Sequence, residues 1–197
     1  VPGLMDAHVH LIGNNELNGY QSMSESSQMA TLYGVKNAKS TLMAGFTTVR
    51  NVGAGEFADV ALRDAIKRGI VEGPTMLVSG PTLSISGGHG DNNLMPYTND
   101  IKTKKHNIVD SPCEGRKAVR LNRKYGANLI KFTATGGVMS KNTDVNARQF
   151  TDEEMQAMID EAHSHGMKVA AHAHGLEGIR TAIKAGVDSV EHSSYID

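Results

Sequence analysis

Short β-branched or apolar runs alternate with runs of helix length along all 197 residues, and no other feature limits the fold as much. Leu4–His10 predicts a strand, and Ser24–Ala44 a helix closed by Gly45. Phe46–Val52 predicts the second strand, then a helix over Phe57–Arg68 punctuated by Gly69 and Gly73-Pro74. Thr75–Ser79 predicts the third strand, followed by a long loop rich in Gly, Ser, Asn and Pro from about Gly80 to Ser111. Glu114–Tyr125 predicts a helix and Asn128–Thr133 the fourth strand. Thr151-Asp152-Glu153-Glu154 has the capping-box pattern and opens a helix ending at His165-Gly166. Lys168–His172 is the fifth strand, Leu176–Ala185 a helix and Asp188–His192 the sixth strand. The spacing gives no hairpin signal between these elements.

Alternating strands and helices imply parallel strands joined by helical crossovers. Two architectures fit: an open doubly wound sheet, or a TIM-like (β/α)8 barrel represented by about six βα units. No glycine-rich phosphate cradle follows the first strand, which weakens a nucleotide-binding version. Long, polar connections after strands are where barrels build their sites.

Composition excludes several functions. A formal net charge of -1 leaves no basic stripe for nucleic acid. No apolar run approaches the ~20 residues of a membrane helix. The lone Cys113 excludes an internal disulfide and a cysteine-rich zinc site, and the lack of disulfides points to a cytoplasmic protein. No signal peptide opens at Val1, and both ends read as cut from a longer polypeptide, so residues 1–197 are expected to be one partial barrel domain.

Nine histidines stand out, and their positions matter more than their number. His8 and His10 close the first strand at a spacing that puts both on one face. Lys131 lies at the end of the fourth strand, His172 closes the fifth and His192 the sixth. In a barrel, these carboxyl ends form one rim where catalytic groups converge. Lys131 lies in an apolar strand, where a free ammonium is costly. It is either neutral or carbamylated by CO2, which would make it a carboxylate able to bridge two metal ions. Imidazole and carboxylate ligands suit zinc and its neighbours.

The segments GLMDAHVHL, GFTTVRNVG, GPTMLVSGPTLSISGGHGD, LIKFTATGGVMS, VAAHAHG and SVEHSSYID resemble the amidohydrolase superfamily, specifically its prolidase-like branch of Xaa-Pro dipeptidases and metal-dependent carboxypeptidases. The resemblance covers the whole chain. It implies two divalent metal ions, with His8 and His10 on one, His172 and His192 on the other, and carbamylated Lys131 between them. It implies hydrolysis of Xaa-Pro-type dipeptides by a metal-bridging hydroxide. The general acid/base aspartate of the family follows the eighth strand, beyond residue 197, so no catalytic residue of that kind is expected here. The last βα units and an accessory β-sandwich are also missing, as expected of a segment of an enzyme about twice as long. Family members are commonly homo-oligomers. Rival readings are an amidohydrolase for a cyclic amide (imidazolonepropionase-like), a phosphotriester or an amine (a deaminase, lacking the lysine), a non-catalytic metal-binding scaffold, and a doubly wound binding module.

Other residues are weighed singly. His89, in a glycine-rich loop, His174, beyond His172, and Tyr195, beyond His192, are candidate substrate contacts. Gly136-Gly137 would let a loop fold over the site. Arg148 reads as a solvated loop arginine rather than a carboxylate binder. His163 and His165, in a helix's last turn, read as structural. His106 belongs to a solvated basic loop over 102–106, and the ten methionines form no stripe.

Overall fold

The computed structural model describes residues 2–94 and 106–196. Six strands form two three-stranded sheets, parallel throughout, in the orders β1-β2-β3 and β4-β5-β6. The chain divides into two compact units, Val1–Pro81 with Tyr125–Asn128, and Thr82–Lys124 with Leu129–Asp197. Neither sheet reverses its strand order, so among the described residues each lacks the switch point of a doubly wound sheet.

In the first unit, β1 (Leu4–Val9), β2 (Phe46–Asn51) and β3 (Thr75–Val78) are linked by α1 (Ser27–Met43) and α2 (Ala58–Lys67). The first helix starts later than its sequence suggests. Gly19–Ser24 is a 3-10 turn, and Ser26 caps α1 by accepting from Met29 N at 3.2 Å. The second also starts late, because Glu56 and Phe57 both take left-handed backbone angles (φ 50° and 58°). Leu11, Ala38, Val49, Val60, Leu62, Met76 and Val78 form the core. The apolar start of β1 is not in that core. Met5 is 77% exposed and Leu4 54%, at the start of an edge strand.

In the second unit, β4 (Leu129–Thr133), β5 (Lys168–Ala173) and β6 (Ser189–His192) accompany α3 (Pro112–Lys124), α4 (Asp152–Ser164) and α5 (Leu176–Ala185). All five residues of β4 are buried, and β5 is buried beyond Lys168. Such strands read as apolar runs because both faces are covered. Phe132 meets Phe150 edge-on at 5.8 Å, and Met155, Met158 and Ile159 of α4 are fully buried. A Cβ on Gly115 would lie 2.8 Å from Met158 Cγ, so α3 can carry only glycine at that contact without a shift. Thr151 and Glu154 form the expected capping box, with Glu154 N on Thr151 Oγ1 at 3.2 Å and Thr151 N on Glu154 Oε2 at 2.8 Å. The long loop is partly ordered onto the sheet: Leu83 bridges Phe132, and Ser84 bridges Ile108. The basic residues 102–105 lie outside the described residues, and His106 is exposed.

Candidate metal centre

His8 and His10 belong to the first unit. Asp6 pairs with Val49 but Val9 with Asn51, so β1 carries an extra residue between them. This bulge covers Ala7 and His8, and plain period-two alternation does not hold there. Arg50 Nε donates to the Ala7 carbonyl at 2.6 Å, and His8 N donates to Asp6 Oδ1 at 2.9 Å. The two rings still lie side by side, with centroids 5.3 Å apart at 72°. His10 follows the last residue of β1 rather than closing the strand, and its Nδ1 faces Gly53 O at 3.3 Å.

The second unit assembles four imidazoles. His172 centres lie 4.7 Å from His174, 4.7 Å from His192 and 4.3 Å from His89. His174 stacks on His192 at 4.9 Å and 17°. Ligating atoms of His172, His174 and His192 all lie within 4.8 Å of one another. Three nitrogens that close can converge on one divalent ion with small side-chain rotations, at the ~2.1 Å bonds that zinc makes to imidazole.

The electrostatics suit a cation. Burial pushes His172 down to about 3; the bond to Gly136 opposes this, and His89, His192 and His174 add to it. His172 is thus neutral at physiological pH, the form that ligates metals. Its Nε2 lies 3.1 Å from Gly136 O. A carbonyl only accepts, so Nε2 carries the proton and Nδ1 keeps its lone pair. Burial also lowers His174, whose Nδ1 meets Ser194 Oγ at 2.8 Å and whose backbone N donates to Thr135 Oγ1 at 3.0 Å.

Register explains how these side chains meet. Thr133 pairs with His172, and Lys131 with Ala170, so Lys131 shares their face two residues deeper. It occupies the middle of β4 rather than its end and is 3% exposed. His172 pairs with Glu191, and Ala173 with His192. By alternation, His192 would face away from His172. It does not, because His192 and Ser193 both adopt left-handed angles (φ 75° and 49°) and turn the ring back. Two successive non-glycine residues in that region cost energy, and such strain gathers at functional sites.

His89 is clamped against the cluster. Its Nδ1 bonds Ser140 Oγ, and its backbone N donates to Gln149 Oε1 at 3.1 Å. Gln149 Oε1 also accepts from Thr133 Oγ1 at 3.0 Å. Gly137 leaves the slot: an ideal Cβ there would come within 2.7 Å of His89 Nε2 and closer to Cε1 and Nδ1. Gly136 is needed for a different approach, because its Cβ would collide with the Asp144 backbone. Tyr195 is exposed, and its backbone N bonds His174 O at 3.0 Å. Arg148 pairs with Asp152. His163 bonds Asp188 at 2.9 Å, and His165 bonds Glu161 at 3.0 Å, both at the helix end. Sequence reading missed Gln149, Thr133 and the buried Glu191, which is in register with His172 and accepts from Ser189 Oγ at 2.8 Å. A carboxylate next to His192 in a short strand could have flagged Glu191; nothing in the sequence flags Gln149.

Among the described residues, no helix is long and apolar enough to cross a membrane. The amidohydrolase family model matches residues 1–197. Ochratoxinase from Aspergillus niger is 36% identical over 214 aligned positions, covering 100% of this chain and 44% of its own. A solved Xaa-Pro dipeptidase with methionine in its active site superposes with a TM-score of 0.88 at 39% identity, covering 100% of this chain and 49% of the other. A prolidase complexed with N-methylphosphonate-L-proline gives 0.86 at 32% identity, covering 100% of this chain and 48% of the other. The chain therefore spans about half the length of the relatives it matches. With imidazoles gathered at the ends of parallel strands, and a family model matched from first residue to last, the chain belongs to the amidohydrolase family.

Proposed function

We propose that the longer protein to which this chain corresponds is a binuclear metal-dependent hydrolase that cleaves the amide bond of Xaa-Pro-type dipeptides within a (β/α)8 barrel. The observation that carries the reading is Lys131, buried in mid-strand in a unit that also holds four clustered imidazoles. His8 and His10 would hold one ion, His172 and His192 the other, and Lys131 would join both. Divalent ions bound there would acidify a water molecule and polarise the scissile carbonyl. Carbamylation would join the deprotonated Lys131 amine to CO2 with release of one proton; counted from the costly buried ammonium, two protons leave and an anionic oxygen donor takes its place. His172 presents Nδ1 while its Nε2–H stays on Gly136 O. His89, His174 and Tyr195 are assigned to contact the substrate; the His89 and His174 rings lie 4.3 Å and 4.7 Å from that of His172. Proton transfer to the leaving amine is assigned to an aspartate beyond residue 197. The net charge of -1 fits a protein that binds neither nucleic acid nor membrane, and we place it in the cytoplasm as a homo-oligomer.

The test uses the full-length protein loaded with zinc, a panel of Xaa-Pro and other dipeptides, and ochratoxin, after the relative's name. Hydrolysis of Xaa-Pro substrates that falls at least ~1000-fold in His172→Ala is expected, the scale of losing an electrostatic catalyst. Zinc-loaded protein inert on every dipeptide, or an active His172→Ala, would overturn the reading. Turnover of ochratoxin alone would overturn the dipeptide assignment.

A further inference from the structure

The first unit contains a buried polar relay that the proposed chemistry leaves unused. Asn51, the last residue of β2, and Asp59, the second of α2, are both 0% exposed. Buried amides and carboxylates persist only where their donors and acceptors are met. Here the partners lie along one path. Asp59 Oδ2 accepts from Gly80 N at 3.0 Å and Asn51 Nδ2 at 3.3 Å, and Oδ1 accepts from Val60 N at 2.9 Å. Asn51 Oδ1 accepts from Leu11 N at 2.8 Å. Its Nδ2 also donates to Gly53 O at 3.2 Å, the same oxygen that faces His10 Nδ1 at 3.3 Å.

One amide therefore holds two points around His10: the peptide N–H that follows it and the carbonyl that faces its ring. Only a side chain with an acceptor and two donors in one plane can do this, and asparagine has that shape. Asp59 settles which way the amide points, since a carboxylate must face the NH2 end. Gly53 O can only accept, so its bond with His10 requires the proton on Nδ1 and leaves Nε2 with the lone pair. Partners of this kind fix the tautomer and direction of a ligating histidine.

We propose that Asn51 and Asp59 are positioning residues that hold His10 with Nε2 turned to a metal ion. This rests on the reading of His8 and His10 as metal ligands. The test uses the full-length protein and zinc. Asn51→Leu and Asp59→Leu keep the branched side-chain shape at a larger volume and remove the bonds, whereas Asp59→Asn keeps an oxygen towards Gly80 N and Asn51 and gives up only the bond from Val60 N. In chelator competition, both leucine variants should weaken one of two zinc ions by about 10- to 100-fold and leave the other in place, and Asp59→Asn should stay within about threefold of wild type. General damage to the fold would not select one ion. A folded Asn51→Leu protein with both ions at wild-type affinity would overturn the inference. On wild-type zinc protein labelled with 15N-histidine, long-range 1H–15N spectra should show His10 protonated at Nδ1; a proton on Nε2 overturns the inference even if the leucine variants fail to fold. Unchanged zinc content in His8→Ala/His10→Ala would overturn both the inference and the ligand reading beneath it, whereas loss of zinc there with an unaffected Asn51→Leu overturns the inference alone.

Discussion

Gly137→Ala places a methyl group where His89 sits. The added carbon would lie 2.7 Å from His89 Nε2 and closer still to two other ring atoms. Comfortable carbon contacts begin at ~3.5 Å, so the ring must retreat by about 1 Å. It has little freedom to do so, being bonded to Ser140 Oγ and packed 4.3 Å from the His172 ring, with its backbone on Gln149 at 3.1 Å. Retreat sacrifices the Ser140 bond, worth about 1 kcal/mol, within an overpacking cost of about 1–3 kcal/mol. The assay is a double-mutant cycle in denaturant with Gly137→Ala, His89→Ala and both together. With the imidazole removed, the alanine has room, and its cost should fall below about 0.5 kcal/mol. The expected coupling is about 1–2 kcal/mol between residues 48 apart in sequence. Additive costs within ~0.5 kcal/mol would refute the slot, and a silent Gly137→Ala would refute the packing itself.

Three further outcomes are expected. Thr151→Ala removes the acceptor for Glu154 N and should cost about 1 kcal/mol in denaturant unfolding, whereas Glu161→Gln at the other end of α4 leaves the cap intact. Burial opposes ionisation of Asp188, but bonds from Lys168, His163 and Val169 N override it and hold its pKa at about 2 against 3.8. A depressed carboxyl stabilises above its unfolded value and loses that contribution as pH falls from about 3.8 through about 2, so Asp188→Asn should be less stable than wild type at pH 6 and converge with it in that window; a difference that persists at pH 2 would contradict this. Removing metal from the full-length protein with a chelator should lower its Tm and zinc should restore it, since an ion bound at ~100 times its Kd contributes about 2.7 kcal/mol.

The elements legible in the sequence were those set by neighbours along the chain. The β-branched Phe46–Asn51 run and the Thr151–Glu154 box needed no tertiary information. The start of α1 escaped by a few residues because Ser26, not Ser24, captures the orphan N–H of the first turn. The histidines stood out by residue type, and the structure brings His172, His174, His192 and His89 together in one unit. How they meet was hidden. Alternation assigns His192 to the wrong face, and only its left-handed backbone corrects this, at a residue that carries no glycine to announce it. The bulge at Ala7 and His8 likewise breaks a period that the letters suggest. Asn51, Asp59 and Gln149 were invisible because an ordinary polar letter gains meaning only when it is buried with its partners.

The most direct measurement is the metal content of the full-length protein by elemental analysis, together with the mass of the Lys131 peptide under non-acidic conditions. The account predicts about two divalent ions per chain and a CO2 adduct on Lys131, because a free ammonium buried in mid-strand is costly and a carbamate would relieve that cost as an anionic metal ligand. One ion per chain with an unmodified Lys131 would contradict it and leave a mononuclear centre in place of the binuclear one.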